Sequence, residues 1–109
     1  MSKLDAILKI AQLVDDGPTE SLPNHSLQVG KSYLIRTVTM HYTGRLVSVT
    51  DTDIVLEEAA WIADTGRYSE ALQSGSLSEV EPYPNRVVVS RAVIVDAAEW
   101  VHALPREVK

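Results

Sequence analysis

Hydrophobic positions at the start of the chain repeat at the spacing of a helix. Apolar side chains recur three and four residues apart, which places them on one face of a helix. They are Leu4, Ile7, Leu8, Ala11 and Val14. Gly17 and Pro18 end the pattern, because proline cannot continue a helix. The sequence therefore predicts an amphipathic N-terminal α-helix over residues 1–16, followed by a polar, proline-broken linker over residues 17–29.

From residue 30 the pattern changes to short runs rich in β-branched and aromatic residues, separated by polar turns. The predicted strands cover residues 33–42, 45–49, 54–63, 86–90 and 92–95. Five short strands without intervening helices predict a mainly β domain over residues 30–104, a small five-stranded antiparallel barrel, closed or nearly closed. The polar stretch 64–82 is predicted as an insertion, either a hairpin extension or a long loop. Residues 96–104 are expected to form a short helix or a tail.

Composition narrows the possible partners. The chain has 109 residues, no cysteine and a formal net charge of −5. Lys and Arg supply most non-specific affinity for a phosphate backbone, so this charge disfavours broad nucleic-acid binding, and no DNA partner is expected. Lys3, Asp5 and Lys9 interrupt any apolar signal segment, and no stretch approaches the length of a membrane span. We expect a soluble, cytoplasmic protein with no membrane partner.

Three short motifs are typical of enzymes, and each is incomplete. Residues 30–32 (Gly-Lys-Ser) match the end of a phosphate-binding loop, but His25 replaces the required glycine and a β-rich run follows. Residues 64–66 (Asp-Thr-Gly) resemble the active-site triplet of dimeric aspartic proteases, but Arg67 follows where that family favours a small residue. The three histidines lack metal-ligand spacing. We expect no enzyme, cofactor or metal site, with an aspartic protease-like dimer as a remote alternative.

Residues 42–59 combine an aromatic residue, a glycine, two leucines and an acidic turn. The matching positions are Tyr42, Gly44, Leu46, Val49, Asp51 or Asp53, and Leu56. This pattern, with a basic-small pair at residues 91–92, resembles the motifs of Sm-like (LSm and Hfq-type) proteins. The resemblance implies a barrel of the Src-homology-3 type behind an N-terminal helix. Independently, Gly44 would permit a sharp strand bend, and Leu46 and Leu56 would face the interior.

The same resemblance implies self-assembly. Sm-like barrels form rings of about five to seven subunits by pairing edge strands, and closing the ring removes the exposed edges. The runs 87–89 and 93–95 are typical of such edges. The first hypothesis is therefore a non-enzymatic homo-oligomeric ring that acts as a structural or interaction scaffold. The N-terminal helix is expected to pack on its own barrel or, alternatively, on a neighbouring subunit.

The alternative hypothesis is binding of single-stranded RNA at the pore of the ring. The candidate site residues are Thr52, Asp53, Ser90, Arg91 and Arg45. Arg91 would supply charge and a planar stacking surface. The turn over residues 50–53 departs from the family pattern, because it has no aromatic residue to stack a base and no asparagine. Such departures are typical of divergent Sm-like proteins from phages or metagenomes.

Overall fold

The computed structural model describes residues 26–109, and β-strands dominate this part of the chain. The elements are β1 (Ser32–Thr37), β2 (His41–Val49), β3 (Asp53–Asp64), α1 (Tyr68–Ser74), β4 (Glu79–Pro82), β5 (Val87–Ser90), a 3₁₀ turn (Arg91–Val93) and β6 (Ile94–Glu99). Every strand pair is antiparallel. The prediction of a mainly β, antiparallel domain is confirmed, whereas the helix predicted over residues 1–16 lies outside the described residues.

The strands form one six-stranded sheet in the order β4-β3-β2-β1-β6, with β5 also paired to β3. The 12-residue β3 is long enough to hold β5 along its first half and β4 along its second. Within residues 26–109 no ladder joins β5 to β6, so the sheet is open where a five-stranded barrel, closed or nearly closed, was predicted. The 3₁₀ turn between them redirects the chain. Its Arg91 N–H donates to Thr52 O (2.8 Å), and its Val93 O accepts from Val38 N–H (2.9 Å).

The turn between β1 and β2 lies inside the single strand that was predicted over residues 33–42. It contains neither glycine nor proline, the usual sequence signals of a turn. The Thr37 hydroxyl makes this turn, because it accepts from Met40 N–H and donates to Met40 O, both at 2.9 Å. Thr37 N–H also donates to Met40 O at 2.7 Å. Side-chain hydrogen bonds of this kind can form a turn without glycine or proline, so the sequence pattern does not reveal it.

Gly44 lies within β2, opposite a bulge in β3. Thr43 pairs with Ala60 and Arg45 pairs with Glu57, so Gly44 faces two residues of β3, Glu58 and Ala59. Glu58 adopts a left-handed φ of 49° there. A Cβ at Gly44 would lie 3.0 Å from the Leu56 Cβ and 3.3 Å from the Ala59 Cβ. A side chain at this position would crowd both neighbours, so glycine suits the close approach of β2 to the bulge in β3.

The sheet buries apolar side chains on both faces. The first core contains Tyr33, Ile35, Leu46, Val49, Ile54, Leu56, Ala59 and Val89. The second contains Leu34, Ala60, Ile62, Ala71, Leu77, Val80 and Trp100. Because consecutive strand residues point to opposite faces, β1 contributes to both cores. β3 also contributes to both cores. Its bulge places Leu56 and Ala59 in the first core and Ala60 in the second. The predicted interior positions of Leu46 and Leu56 are confirmed.

The second core explains residues 64–82. β4 returns antiparallel to β3, as the predicted hairpin extension requires, but the connection between the two strands contains α1, which was not predicted. α1 contributes Ala71 and β4 contributes Val80, and both cover the face of the sheet that Leu34 presents. The short helix or tail predicted from residue 96 is also wrong at its start, since residues 96–99 continue β6 along β1.

Candidate functional site

Four of the five predicted site residues meet where the β2–β3 turn contacts the end of β5. Asp53 and Ser90 are directly opposite each other in the β3–β5 register. The next residue along the chain, Arg91, donates its backbone N–H to Thr52 O at 2.8 Å. The structure therefore brings Thr52, Asp53, Ser90 and Arg91 together, although about forty residues separate the two segments.

A threonine hydroxyl shapes this turn. Thr50 Oγ1 accepts from Asp53 N–H at 3.1 Å and from Thr52 N–H at 3.3 Å. The Thr50 backbone N–H donates to Asp53 O at 2.9 Å. These bonds satisfy the polar groups of the turn internally, as is usual for serine and threonine at turns. These hydrogen bonds hold Thr52 and Asp53 in position relative to Thr50.

Arg91 has a structural contact as well as a candidate ligand role. Its guanidinium Nη1 donates to Thr50 O at 2.6 Å, so the side chain ties the 3₁₀ turn to the β2–β3 turn. Beside it lies an open depression of about 400 Å³. The depression is lined by Asp51, Thr52, Ser90, Arg91 and Ala92. Because Asp51 and Arg91 both line this depression, one copy of this surface has little net positive charge to attract a phosphate.

Arg45, the fifth predicted residue, lies apart from the other four. It is four residues before the end of β2 at Val49, about 13 Å at 3.3 Å per residue. Its guanidinium donates to Glu58 Oε1 at 2.8 Å and to Glu57 Oε2 at 3.3 Å. The grouping of Arg45 with the turn residues is therefore corrected, because this side chain is held by carboxylates of the adjacent strand.

Arg45 belongs to a second polar cluster, which we call the arginine–glutamate cluster. Its members are Arg45, Glu57, Glu58, Arg86 and Arg106. Arg86 Nη2 donates to Glu57 Oε1 at 2.7 Å, and Arg106 Nη2 donates to Glu58 Oε2 at 3.0 Å. Hydrogen bonds from Arg45 and then from Arg106 hold the pKa of Glu58 below its ordinary value. Spacing along the sequence gave no signal for this cluster, because its arginines come from three distant segments.

An open cleft of about 570 Å³ adjoins the arginine–glutamate cluster. Its lining includes Pro82, Tyr83, Pro84 and Pro105 beside the charged groups. The Tyr83 ring lies 6.2 Å from the Tyr42 ring, centroid to centroid, at an interplanar angle of 32°. Burial, followed by the influence of Tyr42, raises the pKa of Tyr83 above its ordinary value. The cleft thus combines rigid proline and aromatic walls with carboxylates and guanidinium groups.

The Asp-Thr-Gly triplet forms the turn at the end of β3. Asp64 Oδ1 accepts from Gly66 N–H at 2.8 Å, and Gly66 has a left-handed φ of 67°. Asp64 O also accepts from Ser78 N–H at 3.0 Å, which closes the insertion at its base. A short polar side chain that bonds two residues ahead is typical of a turn. The aspartic protease-like dimer stays a prediction, with Asp64 in a turn-forming role in the single chain.

Residues 26–109 contain neither a metal-binding cluster nor a membrane-spanning helix. No three His, Cys, Asp or Glu side chains of this part come together in a way that could hold a metal ion. None of its helices has both the length and the apolar character needed to cross a bilayer. His102, one of the predicted non-ligand histidines, instead contacts Leu72 O through Nε2 at 2.8 Å, near the end of α1.

The comparisons with known proteins add no relative. No protein-family model matches the chain, and neither a curated protein nor a solved structure matches it.

Proposed function

We propose that this chain is a divergent, non-enzymatic Sm-like protein of the Src-homology-3-type barrel, and that copies of it assemble into a ring that serves as a scaffold. The sequence motif and the order of the strands support the proposal. With the insertion strand β4 set aside, β1, β2, β3, β5 and β6 follow one another, and β6 returns to pair with β1. The 3₁₀ turn alone separates the two strands at the ends of this ladder.

The observation that carries the proposal is the pair of open strand edges. Among the described residues β5 pairs only with β3, and β6 pairs only with β1. Val88 on β5 and Val95 on β6 are both 61% exposed. Open edges that carry apolar side chains favour pairing with another chain. The edge of β4 that faces away from β3 is not open in this way, because the backbone of Lys109 is hydrogen-bonded to Val80 there.

The two open edges belong to different strands, which determines the type of assembly. Pairing β5 of one copy with β6 of the next is a heterologous, head-to-tail contact. Such contacts close into a ring when the rotation between subunits permits it, and the closed ring leaves no open edge. This arrangement is therefore expected to give about five to seven subunits, as the Sm-like resemblance implies.

The native mass of the purified chain tests the assembly, by light scattering and native mass spectrometry. Val88→Lys and Val95→Lys each place a charge on one of the two edges, and each should yield monomers. Val101→Lys is the matched control, because Val101 is 75% exposed and lies outside the strands. Each monomeric variant keeps one intact edge. Mixing the two should therefore give a one-to-one heterodimer, which a non-specific loss of folding would not give.

A wild-type monomer at micromolar concentration would refute the ring. So would a twofold dimer that Val88→Lys and Val95→Lys leave unchanged. Failure of the two monomeric variants to combine would also contradict the head-to-tail pairing of β5 with β6.

RNA binding at the pore is the second candidate function, favoured by the meeting of Thr52, Asp53, Ser90 and Arg91 beside one depression. A ring would bring several copies of Arg91 close together and could offset the acidic character of one subunit. Short single-stranded RNA is expected to bind, and Arg91→Gln should abolish binding. Arg67→Gln removes the same charge at an exposed position outside the site and serves as the control. No binding of any homopolymer RNA at low salt would exclude this function.

A further inference from the structure

Residues 105–109 lie along the outer edge of β4. Val80 N–H donates to Lys109 O at 3.0 Å, and Lys109 N–H donates to Val80 O at 2.9 Å. Two bonds exchanged between the same two residues are the mark of an antiparallel pair. Three residues earlier, Arg106 Nη2 donates to Glu58 Oε2 at 3.0 Å, beyond the other end of β4. The segment is thus held at two separated points, one made by the backbone and one by charge.

Within the described residues, these two contacts are the polar links between the segment and the sheet. The Arg106 side chain is 77% exposed. An exposed ion pair of this kind contributes a factor of about two to five to an equilibrium. Between the two contacts, Pro82 has no N–H to donate, so the backbone ladder cannot be extended there. The segment therefore occupies its position without being locked into it.

The surface beneath the segment has the features of a peptide-binding groove. Without the segment it would offer the β4 edge for backbone pairing, which is one of the recurring modes of peptide recognition. Beside this edge, the cleft walled by Pro82, Tyr83 and Pro84 presents the carboxylate of Glu58. Arg45 holds this carboxylate from the opposite side, so it is already oriented before a ligand arrives. A second guanidinium suits it, because arginine presents several N–H donors in one plane.

We propose that the β4 edge and the adjoining cleft form a docking groove for an extended peptide segment that carries arginine three residues before its backbone-pairing residue. Residues 105–109 of the chain occupy this groove as an intramolecular ligand. They cover the β4 edge until a partner segment of the same chemistry displaces them. Because a tethered segment acts at a millimolar effective concentration, a free peptide has to exceed that concentration or bind more tightly.

The experiment uses the ¹⁵N-labelled full chain and the peptide acetyl-Leu-Pro-Arg-Glu-Val-Lys-amide, which copies residues 104–109 without terminal charges. The amide resonances of Val80 and Lys109 report displacement. In the wild-type chain the peptide should compete only at millimolar concentration. Arg106→Gln weakens the internal segment, so half-displacement should need two to five times less peptide. Arg67→Gln, which neutralises an exposed arginine outside the groove, should leave the titration unchanged.

Two altered peptides separate the two contact points. Replacement of the peptide arginine with alanine should weaken displacement two- to fivefold, and N-methylation of the peptide lysine, which removes its N–H, should weaken it at least as much. Equal displacement by all three peptides would overturn the proposal. It would also be overturned if neither the peptide nor Arg106→Gln moved the Val80 amide. These outcomes do not depend on the proposed ring, which is tested through β5 and β6.

Discussion

The buried hydroxyl of Thr43 allows a direct test of what an unpaired polar group costs inside this domain. The residue lies on β2 between Leu34 of β1 and Ala60 of β3, and it is 0% exposed. Its hydroxyl oxygen has no hydrogen-bond partner among the described residues. A buried polar group without a partner costs about 1–3 kcal/mol in desolvation. Thr43→Val replaces this hydroxyl with a methyl group of similar size and removes that cost.

We therefore expect Thr43→Val to raise the free energy of unfolding by about 1–3 kcal/mol. For a domain of this size, each 1 kcal/mol corresponds to about 4–8 °C in Tm. Urea unfolding followed by circular dichroism measures the change. The protein concentration has to be held constant, because self-association would make apparent stability depend on it. An unchanged m-value would show that the denatured state is unaffected.

Thr37→Val is the matched control. The same replacement at this half-buried position removes a hydroxyl that bonds both the N–H and the carbonyl of Met40. It should lower the free energy of unfolding by about 1 kcal/mol. The change in the free energy of unfolding should therefore have opposite signs in the two variants, because the Thr37 hydroxyl has a hydrogen-bond partner and the Thr43 hydroxyl has none among the described residues. If Thr43→Val destabilised the domain as Thr37→Val does, the Thr43 hydroxyl would have a partner, and the reasoning would be refuted.

Two further changes test the bulge and the ion pairs. Gly44→Ala should lower the free energy of unfolding by about 1–3 kcal/mol, because its Cβ would meet Leu56 at 3.0 Å, and thermal melting would reveal the loss. A hydrogen bond from Arg36 lowers the pKa of Asp96. The ionised carboxylate therefore stabilises the fold at pH values above the ordinary pKa of an aspartate. This stabilisation is lost as the pH falls through the lowered pKa. Asp96→Asn should therefore be less stable than the wild type in urea at pH 7, and this difference should shrink as the pH falls through the lowered pKa of Asp96; a constant difference would contradict this linkage.

The sequence predicts those parts of the fold that depend on alternation. Leu46 and Leu56 were placed correctly in the interior, since alternation along a strand leaves a local pattern. The β1–β2 turn was missed because Thr37 closes it with a hydroxyl, in a stretch that otherwise has strand composition. The helix α1 within the insertion was missed because this segment is polar overall, and the apolar side chains it buries come from separate elements, for example Ala71 of α1 and Val80 of β4.

The candidate site was predictable to the extent that it follows strand ends. The Sm-like resemblance grouped Thr52 with Arg91, and the two turns do meet in space because β3 and β5 are paired. Arg45 could not be assigned correctly, because its partners depend on the residue offset that the bulge introduces between β2 and β3. Arg86 and Arg106 reach the same carboxylates from segments 29 and 48 residues away, and no short motif encodes such an encounter.

The bulge in β3 has a consequence for how the domain unfolds. With it, one continuous strand lines the first core with Leu56 and the second with Ile62, and β1 lines both cores as well. Neither core can open without removing a wall of the other. The amides of both should therefore exchange with solvent in one global event, as a single cooperative unit. The insertion of residues 64–82 is thus part of the same folding unit as the sheet that carries it.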